Sequence, residues 1–109
     1  MTVKALANTG ALHLCIPEHI AIQLELEKLY KREVTTADAG RHLCPYVGPV
    51  KVKFEKRGCF TGALVLGNEV LLRAVPMEDM DILLFPARQA VIVNPESPNI
   101  PMSIAKGFK

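Results

Sequence analysis

The pattern of apolar and polar residues predicts that the chain begins with a strand, a tight loop and a second strand. Residues 3–7 form a short apolar run that ends at the polar segment 8–10, as expected for a buried strand entering a turn. Strand-like composition resumes over residues 12–16. A proline and a glutamate then favour a helix start, and the apolar spacing predicts a helix near residues 17–25, with a helical face reaching about Tyr30.

From Glu33 onward the hydrophobic pattern changes to the period of β-strands. Residues 34–37 have strand-like composition, and residues 38–40 carry a turn signal. Residues 41–54 predict a long strand, because apolar residues alternate with lysine in its second half. Its two prolines, one of them preceded by glycine, indicate an edge position or a β-bulge.

The rest of the chain consists of short apolar segments separated by turns. The pattern predicts strands over 59–66, 69–75, 82–85 and 90–93, and a single helical turn over 76–80. Three prolines exclude a regular element over residues 94–101. This set of short strands with one clear helix favours an all-β barrel or sandwich over a parallel α/β sheet. We predict one domain over residues 1–101 and a flexible tail over residues 102–109.

Composition narrows the classes of partner. The chain has 109 residues, of which 50% are apolar and 22% are charged, with a formal net charge of +2. This balance is typical of a small globular domain and does not favour nucleic acid or a membrane surface as partner. Three cysteines, an odd number without paired spacing, argue against a disulfide framework. With no signal-peptide layout and no long apolar run, we expect a cytoplasmic protein.

Several common kinds of active centre are disfavoured by the spacing of their residues. His13, Cys15 and His19 do not have a usual zinc-site spacing, and no second ligand pair follows them, so we expect packing and surface roles. No local motif supports a Cys–His nucleophile. The acidic residues within 77–81 indicate a solvated turn rather than a cation site. We therefore expect no metal and no cofactor.

The loop Ala7-Asn8-Thr9-Gly10-Ala11 is the segment with a specific chemical use. Glycine permits backbone conformations and close approaches that a Cβ would forbid, and the threonine hydroxyl can bond to a neighbouring copy of the same loop. If residue 8 were aspartate, two such loops around a two-fold axis would place two carboxylates together. The pair would share one proton, one acting as general base on water and the other as general acid.

Several segments in order, covering nearly the whole chain, resemble the retroviral-type (retropepsin-like, clan AA) aspartic protease family, in its small bacterial single-domain branch. They include the Thr-Gly-Ala loop with its preceding strand, the two arms of a hairpin, and a late strand that leads into a helical turn. The resembling segments are 6–11, 14–19, 33–38, 45–50, 71–81 and 94–99.

This resemblance implies half of an acid-protease β-barrel with one or two short helices, working as a homodimer on an extended peptide. Each subunit would supply one catalytic aspartate, at the position of Asn8, on a loop completed by Thr9 and Gly10. A glycine-containing hairpin would fold over the peptide. The resemblance thus implies that substrate is bound by Ala11 and by the hairpin tip Asp38-Ala39-Gly40.

The catalytic position departs from the family pattern. Asn8 stands where the family has aspartate, and an amide has no titrating proton with which to act as a general base. Because asparagine is nearly isosteric with aspartate, the loop can keep its shape. Removing two buried, mutually repelling carboxylates even favours the dimer. The sequence therefore predicts an aspartic endopeptidase scaffold that is impaired or inactive in this form.

Three further departures affect the surroundings of the loop. In the hairpin tip the glycine stands one position later than in the family pattern, at Gly40. Arg73 replaces a glycine near the active loop, and its guanidinium must reach solvent or find an acid. Few residues precede Asn8, so we expect a missing strand and an open sheet edge. Two alternatives stay open: a trapping variant of a parent with aspartate at position 8, and a non-catalytic module that binds peptides or partner proteins.

Overall fold

The fold, taken from a computed structural model, is described for residues 1–8, 11–35, 40–85 and 90–102, with only the backbone of Phe85 and Ala90 described. Eight strands and two short helices are found in these ranges. In chain order they are β1 Ala5–Ala7, β2 Leu14–Ile16, α1 Glu18–Gln23, β3 Glu27–Thr35, β4 Arg41–Phe54, β5 Arg57–Val65, β6 Val70–Leu72, α2 Ala74–Met80, β7 Ile82–Phe85 and β8 Ala90–Val93.

Six of the strands form one sheet in the order β1-β6-β2-β5-β4-β3, and β7 and β8 form a separate antiparallel pair. The strands β3, β4 and β5 make a long antiparallel meander, while β2 runs parallel to β5. Within the described ranges β1 and β3 are the two edges of this sheet and do not pair with each other. The all-β prediction with two short helices is therefore confirmed, but the described residues form an open sheet and no closed barrel.

The strand β6 is inserted between β1 and β2, although β1 and β2 are consecutive in the chain. It pairs parallel with β1, with Ala7 opposite Leu72 in the register. It pairs antiparallel with β2, with Cys15 opposite Leu71. This arrangement is a ψ-loop: two antiparallel strands connected in sequence with a third strand between them. The connection between β1 and β2, which contains Asn8, therefore passes over the end of β6.

Several predicted bounds agree with the structure, and others do not. The strands 41–54, 82–85 and 90–93 have the predicted bounds, and α1 lies inside the predicted 17–25. The helical face predicted to reach Tyr30 is wrong, because the helix ends at Gln23 and β3 begins at Glu27. Glu25, with φ of 54°, reverses the chain between them. The predicted helical turn over 76–80 is a longer helix, while β6 covers less than the predicted strand 69–75.

The prediction of an edge position for β4 is also wrong, since β4 lies between β3 and β5. The alternative prediction of a bulge is confirmed: the register of β4 against β5 shifts between Val47 and Val50 and so skips Gly48 and Pro49. A proline is tolerated in an interior strand when the ladder is interrupted there, because its missing N–H is then not required for pairing.

The two faces of the large sheet carry different cores. One face, which we call the helix face, contacts α1 and α2 and buries two apolar clusters; their buried members are Leu14, Ile16, Ala21, Val47, Val50, Ala63, Cys59, Met77, Met80 and Ile82. The opposite face buries Cys15, Cys44 and Leu64, with Val34, Tyr46, Leu66 and Leu71 packed around them. We call it the thiol face. Cysteine alternates with leucine and isoleucine in β2, so adjacent residues serve opposite faces.

A polar cluster fastens the segment after β8 to the body of the domain. Arg57 is buried, donates to the carbonyl oxygens of Met80, Asp81 and Ser97, and lies 3.6 Å from the Asp81 carboxylate. That carboxylate accepts hydrogen bonds from the Ser97 hydroxyl, from the Asn94 amide at 2.9 Å and from a backbone N–H at residue 102. The irregular segment predicted over 94–101 is therefore held by side-chain bonds rather than by a strand.

Candidate functional site

The ends of the predicted active loop are fixed by the connection between β6 and α2. Asn8 directly follows β1, and its backbone N–H donates to the Leu72 carbonyl oxygen at 2.9 Å. On the other side of the loop the Ala11 carbonyl oxygen accepts from the Ala74 N–H at 3.1 Å, and the next residue along makes a similar bond. Both ends of the loop therefore bond to one short segment, residues 72–75, and Asn8 is exposed.

The structure places some of the predicted site residues. Asn8 and Ala11 lie on the loop and are exposed, and Gly40 lies half-buried directly before β4. Thr9 and Gly10, and the hairpin-tip residues Asp38 and Ala39, lie outside the described residues, as does the tail from residue 103 onward. The two arms that lead to the hairpin tip, β3 and β4, are described and pair in the expected antiparallel register.

A cluster of one cation and three rings lies on the thiol face between the loop and the hairpin. Arg32 of β3 places its Nη1 2.6 Å from Nε2 of His13 and donates from Nη2 to the Tyr30 hydroxyl at 2.9 Å. Its guanidinium carbon lies 4.8 Å from the centre of the Tyr46 ring. The two tyrosine rings are stacked, with centroids 5.0 Å apart and planes 19° apart. We call these four residues the Arg32 cluster.

The Arg32 cluster determines the protonation state of its histidine. A guanidinium is always charged and only donates, so Nε2 of His13 accepts and the ring proton resides on Nδ1. Burial, and secondly the positive charge of Arg32, lower the pKa of His13 below its ordinary value. His13 is therefore a neutral acceptor at pH 7, and Arg32 is the sole charge in the cluster.

The position of the Tyr46 ring depends on Gly62 of the neighbouring strand. A Cβ at Gly62 would lie 2.1 Å from the Tyr46 ring carbon and hydroxyl oxygen, so the ring occupies the space that any other residue would fill. The edge of the same ring points to His13, at a centroid distance of 6.0 Å and an angle of 81°. Glycine at position 62 thus lets Tyr46 lie flat on the sheet beneath Arg32.

The Arg32 cluster spans three strand spacings. His13 precedes β2 and Arg32 is on β3, and the sheet order places β5 and β4 between them. With neighbouring strands ~4.8 Å apart, the backbone separation is about 14 Å, which the extended arginine and the imidazole cover together. The contact between Arg32 and His13 therefore crosses the thiol face, from the side of the loop to the arm of the hairpin. It was not predicted from sequence, although a strand reading of residues 27–35 would have placed Tyr30 and Arg32 on one face.

Arg73, at the end of β6, is the second cation near the loop. It is half-buried, and its Nε is enclosed without a hydrogen-bond partner among the described residues. Its guanidinium faces the thiol of Cys15, whose pKa is raised by burial, an effect that Arg73 partly opposes. The prediction that the Arg73 guanidinium reaches solvent is compatible with this partial exposure, and among the described residues no ion pair joins it to an acid.

The electrostatic character of the site is positive. Among the described residues the ion pairs are those of Arg41 with Glu33 and of Arg57 with Asp81, and neither involves Arg32 or Arg73. Within the same ranges no group of three or more His, Cys, Asp or Glu side chains is placed to hold a metal ion. The site thus offers hydrogen-bond donors and an aromatic surface, while Asn8 contributes a neutral amide.

Apolar side chains are exposed on both sides of the loop. Leu6 of β1 is 49% exposed and Leu12, directly after the loop, is 61% exposed. Both side chains expose apolar surface beside the ends of the loop. In the part of the chain that is described, no helix is long and apolar enough to cross a membrane.

Comparison of the chain with models of protein families, with curated proteins and with solved structures finds no match in any of the three.

Proposed function

We propose that this chain is a retropepsin-like domain that binds extended peptides without cleaving them. The observation that carries the proposal is the placement of Asn8: it stands at the end of β1, bonded to Leu72 of the inserted strand, on a loop whose following residues reach the β3–β4 hairpin through His13 and Arg32. An exposed loop on one side and a hairpin arm on the other suit a peptide in extended conformation.

The side chain at position 8 decides between binding and cleavage. Peptide hydrolysis by an acid pair needs one carboxylate that accepts a proton from water and one carboxylic acid that donates to the carbonyl. The Asn8 amide does neither, because it has no proton that titrates at ordinary pH. It still donates and accepts hydrogen bonds. The same loop can therefore hold a peptide group while leaving its carbonyl unactivated.

We further propose that the peptide-binding form is a homodimer in which two Asn8 loops meet. The exposed residues Leu6 and Leu12 flank the loop and supply apolar surface for a second copy. Among the described strands β1 is an edge of the sheet, and an edge strand can pair with a strand of a second copy. A partner in the same position would bring the two loops together around a two-fold axis.

Restoring the carboxylate tests this proposal. The Asn8→Asp variant, the unmodified chain and an Asn68→Asp control are incubated with a peptide library between about pH 4 and about pH 7, where a shared-proton acid pair is active. Asn68 is exposed in the turn before β6 and provides the same chemical change away from the loop. Cleavage products are detected by mass spectrometry, and peptide retention by the uncleaving proteins is measured in parallel.

We expect cleavage by Asn8→Asp alone and peptide binding by all three proteins. Absence of cleavage by every protein would refute the protease-like scaffold. Cleavage by the unmodified chain would refute the claim that Asn8 disables catalysis. A chain that sediments as a monomer across micromolar concentrations would remove the shared two-fold site.

A further inference from the structure

We propose that Arg32 is a carboxylate subsite that selects an acidic side chain in the bound peptide. This inference rests on the proposed peptide-binding function and adds a substrate class to it. The subsite consists of the guanidinium of Arg32, the stacked rings of Tyr30 and Tyr46 that fix its plane, and the imidazole of His13 that it contacts when no peptide is bound.

The partners of Arg32 within the described residues are neutral. It bonds to an imidazole and a phenol and lies over an aromatic ring. By contrast, Arg41 on the same hairpin and Arg57 at the start of β5 each lie near a carboxylate. A guanidinium presents five N–H donors in a planar fork that matches a carboxylate. Within the described residues two of these donors are directed at His13 and Tyr30, so three more N–H groups can serve a ligand.

A carboxylate is a better acceptor for this guanidinium than the imidazole that it contacts. The bond to His13 has charge on the donor alone, whereas a carboxylate adds a negative charge on the acceptor and can accept two parallel N–H bonds from a guanidinium. The contacts with His13, Tyr30 and Tyr46 restrict the Arg32 side chain, so less side-chain freedom remains to be lost when a ligand binds. A carboxylate that reaches Nη1 would take the place of the His13 imidazole. The contact between Arg32 and His13 across the thiol face would then be broken.

The position of the subsite suits a peptide side chain. The Arg32 cluster lies between the segment that follows Asn8 and the arm that leads to the hairpin tip, and its surroundings on the thiol face are apolar. In an extended peptide alternate side chains point to the same side, so one residue would face the guanidinium while its neighbours face away. Charge complementarity then favours glutamate or aspartate at that one position.

Binding of a ligand at Arg32 can be followed through the tyrosines of the chain itself. It has two tyrosines and no tryptophan, and both tyrosines belong to the Arg32 cluster. Intrinsic fluorescence and near-ultraviolet circular dichroism of the folded protein therefore arise largely from the two rings next to the guanidinium. A ligand that displaces His13 from Arg32 changes these signals without any added label.

The experiment titrates tyrosine fluorescence with three kinds of probe. The first is a set of peptides in which a single glutamate, the only charged side chain, is moved along the sequence. The second is the same set with glutamine in place of glutamate, and the third is glutarate. The proteins are the unmodified chain, Arg32→Gln, Arg32→Lys and an Arg41→Gln control. Arg41 lies on the opposite arm of the hairpin, where its side chain is 78% exposed. Urea unfolding verifies that each variant is folded.

At one position of the scan we expect the glutamate peptide to bind about tenfold more tightly than its glutamine counterpart, as for a charge-assisted hydrogen bond. Arg32→Gln abolishes the preference, Arg32→Lys retains part of it, and Arg41→Gln leaves it unchanged. Glutarate changes the fluorescence of the unmodified chain but not of Arg32→Gln.

The outcomes separate the subsite from the proposed function. Equal binding of both peptide sets, or a preference that survives in Arg32→Gln, overturns the subsite and leaves peptide binding in place. An effect of glutarate that requires Arg32, with no binding of either peptide set, supports the carboxylate subsite and refutes peptide binding. Absence of any response to all three probes overturns both.

Discussion

Arg57 and Arg32 lie in the same sheet but have opposite surroundings. Arg57 is 4% exposed and donates to three backbone carbonyls beside the carboxylate of Asp81. Arg32 is half-buried, lies on aromatic rings and donates to neutral side chains. The first cation has its charge balanced inside the fold, and the second does not among the described residues.

The difference separates structural from functional use of the same side chain. A buried guanidinium with carbonyl and carboxylate acceptors is costly to disturb, since removing one partner leaves the others unsatisfied. A guanidinium held flat by rings contributes modestly to stability and stays available to an anion. We therefore expect substitution of Arg57 to change the stability of the domain, and substitution of Arg32 to change the binding of an anion.

The largest expected effect is the loss of stability in Arg57→Met. We expect the free energy of unfolding to fall by about 3 kcal/mol, because three backbone carbonyl oxygens lose their donor and the Asp81 carboxylate loses its neighbouring cation. Urea unfolding followed by far-ultraviolet circular dichroism measures this change. The matched substitution Arg32→Met should cost less than about 1 kcal/mol, as for a cation over aromatic rings at a partly exposed site. Equal losses at the two positions would contradict the comparison.

A smaller, pH-dependent effect is expected at the acidic partner of Arg57. Hydrogen bonds from the Ser97 hydroxyl, the Asn94 amide and the N–H of Met102 hold the pKa of Asp81 at about 2, below its ordinary 3.8, with Arg57 adding to the effect. A lowered pKa in the folded state stabilises the protein above the unfolded value. That contribution is lost as the pH falls from about 4 to about 2.

The variant Asp81→Asn removes this titration while tolerating the left-handed backbone at φ of 56°. The stability difference between the unmodified chain and the variant should be largest near neutral pH and shrink as the pH approaches about 2. Urea midpoints at a series of pH values measure it. A difference that stays constant over this range would show that the Asp81 carboxylate does not titrate as described.

Gly62→Ala is expected to have the smallest effect on stability and the clearest effect on the tyrosine signals of the Arg32 cluster. The added methyl group requires the Tyr46 ring to move away from β5, because the ring now occupies its space. We expect a change of about 1 kcal/mol or less in unfolding free energy, together with a clear change in tyrosine fluorescence and near-ultraviolet circular dichroism. Gly58→Ala, on the same strand, provides the control. Unchanged tyrosine signals would contradict the stacked arrangement.

Much of the fold was predictable because its signals are local. Alternation of lysine with apolar residues indicates β4, and turn residues separate β7 from β8. The error after α1 has a physical cause: Ile20, Leu24 and Glu27 keep helical spacing, but Glu25 adopts a left-handed conformation that a non-glycine residue rarely adopts. The interior position of β4 depends on pairing with β3 and β5, which local composition does not encode.

The candidate site was predictable only in part, for the same reason. Asn8 and Ala11 belong to one contiguous segment, so the sequence alone is sufficient to select them as candidate site residues. The contact between His13 and Arg32 depends on how four strands are ordered in the sheet. Arg73 was singled out by sequence, but its enclosure beside Cys15 results from the insertion of β6 next to β2.

The inserted strand also sets the order in which the domain matures. Asn8 emerges early during synthesis, yet its hydrogen bond is to Leu72, which lies beyond the β3–β4–β5 meander. Contacts between distant parts of a chain form late, because the intervening loop must first be closed. On the ribosome the meander can therefore fold while the Asn8 loop is still without its support. The surface proposed to receive a peptide is therefore completed only after β6 and the start of α2 have been made.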